Sequence, residues 1–184
     1  MQEMARILIG LTTVVGLIGS AHPANALPIP TPNVIQVNTL VYSDNGSDGV
    51  CSLREALQSA FNADGNPYHE CAKAVIDQPS LVAFTVPGVI SIPEQLPYIH
   101  NQVYLLGPVV LDGANLPSPV INIVSTGILT LTNLTLKNAG YSFIRNQGGS
   151  LYVAGASFEG NASGGGGGAA ILNESGGSAV YRRH

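Results

Sequence analysis

The sequence predicts an all-β fold, a solenoid of short parallel strands coiled about a dry interior and closed at its N-terminal end by one helix. Three observations carry this expectation. Leu129-Thr130-Leu131-Thr132-Asn133-Leu134-Thr135-Leu136 and Leu151-Tyr152-Val153-Ala154-Gly155-Ala156-Ser157-Phe158 agree at every apolar position when superposed at an offset of 22 residues. Such a repeat buries its apolar face only by stacking on its neighbour. The composition, with 22 Gly, 12 Pro and 10% charged residues, favours turns over a helical bundle. Lastly, helical spacing is convincing only just after residue 52, between the two cysteines of the chain.

Within each 22-residue copy the apolar residues alternate, skip once and alternate again. Leu129 and Leu131 share one strand face, as do Leu134 and Leu136, but the three-residue step between Leu131 and Leu134 breaks the two-residue period of a straight strand. A corner at Thr132-Asn133 resolves the conflict and keeps both short strands facing one interior.

At 184 residues the chain has the length of one domain. Its net charge of −4 leaves no basic surface to neutralise phosphates, which argues against nucleic acid as a partner, and the terminal Arg182-Arg183-His184 is too short to alter that.

The first 26 residues read as an export signal. Arg6 precedes an apolar run over 7–18, and Ala24-Asn25-Ala26 has the small-x-small pattern of a cleavage site. That run is shorter than the roughly 20 residues a membrane span needs, so the expectation is a secreted or surface-displayed chain without a span after signal removal, with a retained anchor as the alternative. Residues 27–33 begin with alternate prolines, which remove amide donors and fix φ, giving an extended leader.

Residues 34–73 form an N-terminal strand and a tethered cap. Val34-Ile35-Gln36-Val37-Asn38-Thr39-Leu40 alternates as a strand, and Asp44-Asn45-Gly46-Ser47-Asp48-Gly49 is a turn cluster. Ser52 followed by Glu55 is a capping box, in which each side chain bonds a backbone N–H left free at the helix start. Leu53, Ala56, Leu57, Ala60 and Phe61 make one apolar stripe, and Asp64-Gly65-Asn66-Pro67 ends the helix. Cys51 and Cys71 bracket it, and in an exported chain an even pair reads as a disulfide. Two thiols with only His69 nearby do not supply the four ligands of a structural zinc site.

Cys51-Ser52-Leu53-Arg54-Glu55-Ala56 preceded by Asp48-Gly49, a second cysteine, Leu81-Val82-Ala83-Phe84-Thr85-Val86-Pro87-Gly88 and Leu96-Pro97-Tyr98-Ile99 together resemble the N-terminal region of the exported CSLREA-motif proteins. Gly167-Gly168-Ala169-Ala170-Ile171-Leu172-Asn173 is similar to the Gly-Gly-Ala-Ile-x-Asn repeats of related surface proteins. The group belongs to the pectin-lyase-like proteins, so the resemblance implies a short single-stranded right-handed parallel β-helix with an N-terminal α-helical cap. It brings no catalytic set, because the motif belongs to the cap.

Residues 74–184 are expected to make about four coils. Val82, Phe84 and Val86 alternate as one strand, Val89-Ile90-Ser91-Ile92 follows a Pro-Gly turn, and Val103-Tyr104-Leu105 with Val109-Val110-Leu111 gives another coil. Val120-Ile121-Asn122-Ile123 leads into the 22-residue repeat, and Phe143-Ile144 recurs 22 to 23 residues later. Ala179-Val180-Tyr181 is the last apparent rung, with no second cap after it, which admits self-association through an open C-terminal coil or a shortened form of a longer surface protein.

Catalytic residues are not evident. Acid–base glycoside hydrolysis needs two carboxylates facing one groove about 5 to 10 Å apart, and Asp77, Glu94, Asp112, Glu159 and Glu174 do not recur with one another at the coil period. Lys137 falls beside Glu159 at the 22-residue offset, an expected surface ion pair. Asp44, Asp48 and Glu55 occupy the first, fifth and twelfth positions of a calcium-loop pattern, but Gly46 stands at the third, so the expectation is a turn and a capping box with no metal or other cofactor. His69, His100 and His184 share no ligand spacing, and His22 lies in the signal. Sequons at Asn45, Asn133, Asn161 and Asn173 read first as corner asparagines; Tyr104, Tyr141 and Tyr152 could form an exposed aromatic strip for a sugar, although seven Tyr in a chain without Trp is ordinary. The expectation is a non-catalytic structural, adhesion or partner-binding protein whose partner is a polysaccharide or another surface protein. The alternative is a carbohydrate-active enzyme or carbohydrate-binding module.

Overall fold

The computed structural model describes residues 33–62, 64–163, 168–174 and 176–182. The export signal over 1–26, residues 27–32 of the leader, and Arg183 with His184 lie outside the described residues.

Two parallel sheets wind the chain into a β-solenoid of about four turns. In the larger sheet, β1 (Asn33–Val37), β2 (Ser80–Phe84), β4 (Gln102–Asp112), β6 (Ile128–Lys137), β8 (Ser150–Ala154) and β11 (Ser178–Arg182) lie side by side in that order. Two short strands extend it, β3 (Gly88–Ser91) on β4 and β9 (Ser157–Glu159) on β6. The smaller sheet is β5 (Ile121–Val124), β7 (Ile144–Gln147) and β10 (Ile171–Asn173). Every pairing between these described strands is parallel.

The 22-residue offset is the register of the sheet. Leu129 pairs Leu151, Leu131 pairs Val153 and, beyond the corner, Leu136 pairs Phe158. Ile121 pairs Ile144 at an offset of 23, as the recurrence of Phe143-Ile144 predicts. Because register is strict, side chains of equal position form columns. Ile35, Val82, Leu105, Leu131 and Val153 stack as one buried column through five strands, and Tyr181 follows Val153 on β11. Each of these aliphatic side chains contributes about 1.5–3 kcal/mol by leaving water.

Asn133 adopts a left-handed φ of 55°, which turns the backbone between Leu131 and Leu134 while both leucines stay buried. Gly155 repeats the solution one rung on, at φ 68°, and β4 carries a register irregularity between Leu106 and Val109 at the same corner. The sequence pattern suggests two strands on either side of this corner. In the structure β4 and β6 instead run through it unbroken, since a single left-handed or bulged residue interrupts only one step of the ladder. A second difference is Val86, which does not extend β2; the strand stops at Phe84, and the chain turns over Thr85–Pro87 before Gly88 opens β3.

Helix α1 (Leu53–Phe61) starts on the predicted capping box, with the Ser52 side chain accepting the Glu55 N–H and the Glu55 carboxylate accepting the Ser52 N–H. It ends at Asn62, before the Asp64-Gly65-Asn66-Pro67 cluster. Leu53, Ala56, Leu57 and Ala60 are buried, and Phe61 is half-buried against the same core. The helix packs on β1 and β2, so Ile35 and Val37 of the first strand in the sheet are fully buried. β1 pairs with β2 and is itself the first rung.

Candidate functional site

The six residues Cys51 to Ala56 are each used structurally. Cys51 bonds Cys71 across a separation of 20 residues, with the two Cα atoms 4.9 Å apart. Its amide donates to Asn38 Oδ1 at 2.8 Å, fastening the helix start to the end of β1. Leu53 and Ala56 enter the core. Ser52 Oγ also donates to the Ser43 carbonyl at 2.6 Å.

Arg54 and Glu55 organise the loops around the helix. Arg54 reaches Asp44 Oδ2 through Nε at 3.1 Å, and through Nη1 it reaches the Tyr42 hydroxyl at 3.1 Å and Glu94 Oε1 at 2.6 Å. It therefore ties the turn before the helix to the coil that follows β3. Glu55 is fully buried. Its Oε2 accepts the Ser52 N–H at 2.9 Å, and Oε1 accepts the Asn45 N–H at 2.8 Å and lies 3.0 Å from His69 Nδ1. Asp44 takes the Tyr68 hydroxyl on Oδ1 at 3.0 Å, and His69 Nδ1 is 3.6 Å from that oxygen.

These contacts move the ionisation of their members. Partial burial works against the Asp44 carboxylate, yet hydrogen bonds from Arg54 and Tyr68 and the nearby Arg54 charge outweigh it and hold Asp44 below its ordinary value of 3.8. Tyr68 is raised, chiefly because its hydroxyl donates to Asp44. Burial raises Tyr42 despite the Arg54 guanidinium beside it. Arg54 is stabilised further as a cation, first by Tyr42 and then, against some burial, by Asp44.

The structure corrects the membership of the calcium-like pattern. Asp44 and Glu55 do converge, but their companion is His69, with one ligand-type atom from each lying within 4.8 Å of the others. Asp48 is not in this group: its Oδ1 accepts the Val50 N–H at 3.1 Å and its Oδ2 the Ser43 hydroxyl at 3.4 Å, a local turn. Each carboxylate oxygen of Asp44 and Glu55 already takes a protein donor, and the Arg54 guanidinium holds the position beside Asp44. The cluster is thus a hydrogen-bonded network with the Arg54–Asp44 ion pair at its edge. Sequence spacing missed His69 because it joins the cluster across 14 residues and a disulfide loop, with no fixed helical or strand offset.

Along the coils, charged side chains pair between rungs. Asp112 Oδ2 lies 3.6 Å from Lys137 Nζ and accepts from Asn138 Nδ2 at 3.0 Å, while Arg145 makes contacts of 2.9 and 2.8 Å with Glu174 Oε1. The expected pair of Lys137 with Glu159 is therefore corrected. The two residues are in register, but the ammonium reaches Asp112 on the other neighbouring strand. His100 packs its ring on Phe61, centroids 4.7 Å apart. Of the sequon residues, Asn161 and Asn173 use both amide atoms in internal hydrogen bonds, and Asn133 is the exposed left-handed corner.

On the outer face of the larger sheet, Tyr104, Thr130, Tyr152 and Val180 stand in register on β4, β6, β8 and β11. They line an open groove of about 450 Å³. Tyr141 lies in the turn before β7 and does not join them, so the anticipated aromatic strip has two members rather than three.

Fold and side chains together define a parallel β-solenoid with one helix among the described residues, a disulfide-fastened polar cluster at the first rungs and an outer groove bearing two tyrosines. No protein-family model, curated protein or solved structure matches the chain.

Proposed function

We propose that this chain is a non-catalytic exported or surface-displayed right-handed β-helix, capped at its N-terminal end by α1, with a structural, adhesion or partner-binding role of the kind its resemblance to the CSLREA-motif proteins implies. The supporting observation is how three of the five coil carboxylates are held. Glu94, Asp112 and Glu174 are each held by Arg54, Lys137 or Arg145 in contacts that link successive segments. Carboxylates committed to cations in this way are poorly placed to act as general acid or base, which needs a group free to exchange a proton with substrate. The motif residues likewise serve the helix start, leaving the outer sheet faces as the surface for a partner.

The competing reading is a carbohydrate-active enzyme, favoured only by the grooves on the outer faces. Incubation of the purified chain with acidic polysaccharides, followed by ultraviolet absorbance of unsaturated products and by reducing-end assay, tests the proposal. No product above a blank is expected. Steady product formation that scales with protein concentration would overturn the non-catalytic reading.

A further inference from the structure

The outer groove carries a more specific assignment, which rests on the partner-binding reading above. Tyr104 and Tyr152 are separated on the sheet by one residue, Thr130, so their backbones stand two rungs apart. At the spacing of hydrogen-bonded strands this is roughly 9.6 Å. A polyproline-II helix advances about 9.3 Å per three-residue turn. An extended proline-rich segment laid along the stack therefore presents equivalent faces to the two tyrosines, with its prolines against the rings.

Three features of the lining fit that ligand. Tyr152 is 44% exposed, and Val180 next to it in register is 42% exposed, which leaves an apolar platform open. Gln102 Nε2 donates to the Tyr104 hydroxyl at 2.7 Å, which fixes that ring and leaves the Gln102 side-chain carbonyl as an acceptor. A polyproline-II backbone has no internal hydrogen bonds, so its remaining N–H and C=O groups seek such partners. Arg182 lies at the rim on β11, and among the described residues no carboxylate lines the groove. Its charge thus favours an acidic residue flanking the prolines.

We propose that the Tyr104–Tyr152 groove binds a proline-rich, acidic-flanked polyproline-II segment of a partner protein.

The test is a fluorescence-anisotropy titration of the chain with a labelled decapeptide carrying Pro at every third position, the period of the polyproline-II turn, and ending in Asp-Asp, beside the same peptide with every Pro replaced by Ala and a third that keeps Pro but ends in Ala-Ala. Saturable binding of the Pro peptide is expected, weakened at least about tenfold by Tyr152→Ala, as for an aromatic anchor. Thr130→Lys, which places a long side chain between the two rings, is expected to do the same while circular dichroism stays unchanged. Arg182→Gln should cost about threefold, and only for the Asp-terminated peptide. Tyr141→Ala should have no effect. Equal binding of the Ala peptide, indifference to both Tyr152→Ala and Thr130→Lys, saturation by an oligosaccharide instead, or a dimer formed through the groove without peptide would overturn the assignment. The polysaccharide product assay is independent of this titration, so loss of the peptide site and discovery of turnover are separate results.

Discussion

Glu55 and His69 meet 3.0 Å apart beside the start of α1, the carboxylate fully buried and the imidazole side chain 30% exposed. The pairing lets one buried acid close three separate segments: the turn at Asn45, the helix start at Ser52 and the disulfide loop at His69. A buried charge is tolerated only when its donors are in place, so the cluster should fail as a unit.

Replacing Glu55 with Ala strands the N–H groups of Asn45 and Ser52 in a buried setting. The expected loss is about 3 kcal/mol in urea unfolding, against about 1 kcal/mol for Ser52→Ala, which removes one cap acceptor. Equal, small losses for the two variants would show that the carboxylate is not the organising group.

The disulfide closes a loop spanning 20 residues in sequence. Reduction, or the pair Cys51→Ser with Cys71→Ser, should lower stability by about 3 kcal/mol through the entropy regained by the unfolded chain. The signature is a lower unfolding midpoint with retained strand content by circular dichroism. Loss of the strand signal in mild reductant would mean that the coils cannot persist without the fastened helix.

Asp44 gives the pH dependence a definite sign. Its folded value is depressed below 3.8, so the stability it contributes is present above that value and is lost as pH falls through the lower folded one. The unfolding free energy should therefore drop on acidification below about pH 4, and Asp44→Asn should make that drop shallower. Identical slopes for the two proteins, read from urea titrations at successive pH values, would remove Asp44 from the account.

At the corner, Asn133 and Leu131 make opposite demands. Leu131→Ala empties part of a fully buried column and should cost about 3–4 kcal/mol. Asn133→Ala keeps every contact of the core but places a Cβ-bearing residue without Asn's tolerance at φ 55°, with an expected cost of about 1 kcal/mol, whereas Asn133→Gly should be close to neutral. Thermal denaturation of the three variants orders them directly.

The coil register was legible because the apolar period is local and repeated. Leu129, Leu131, Leu134 and Leu136 announce both the inward face and the corner, and their counterparts 22 residues later announce the stacking. The helix was legible for the same reason, since Ser52, Glu55 and the apolar stripe lie within three turns of one element. Lys137 shows where this stops. Register places it between Asp112 and Glu159, and only the side-chain path decides which acid it takes.

By itself, then, the sequence determined the solenoid, its repeat, the helix start and the cysteine pairing, all of which depend on short-range periodicity or on composition. Tertiary structure alone decided that His69 rather than Asp48 completes the Asp44 and Glu55 cluster, and that Tyr104 and Tyr152 share a groove without Tyr141. The physical reason is that side-chain convergence between distant segments depends on loop path and rotamer, neither of which leaves a period in the chain.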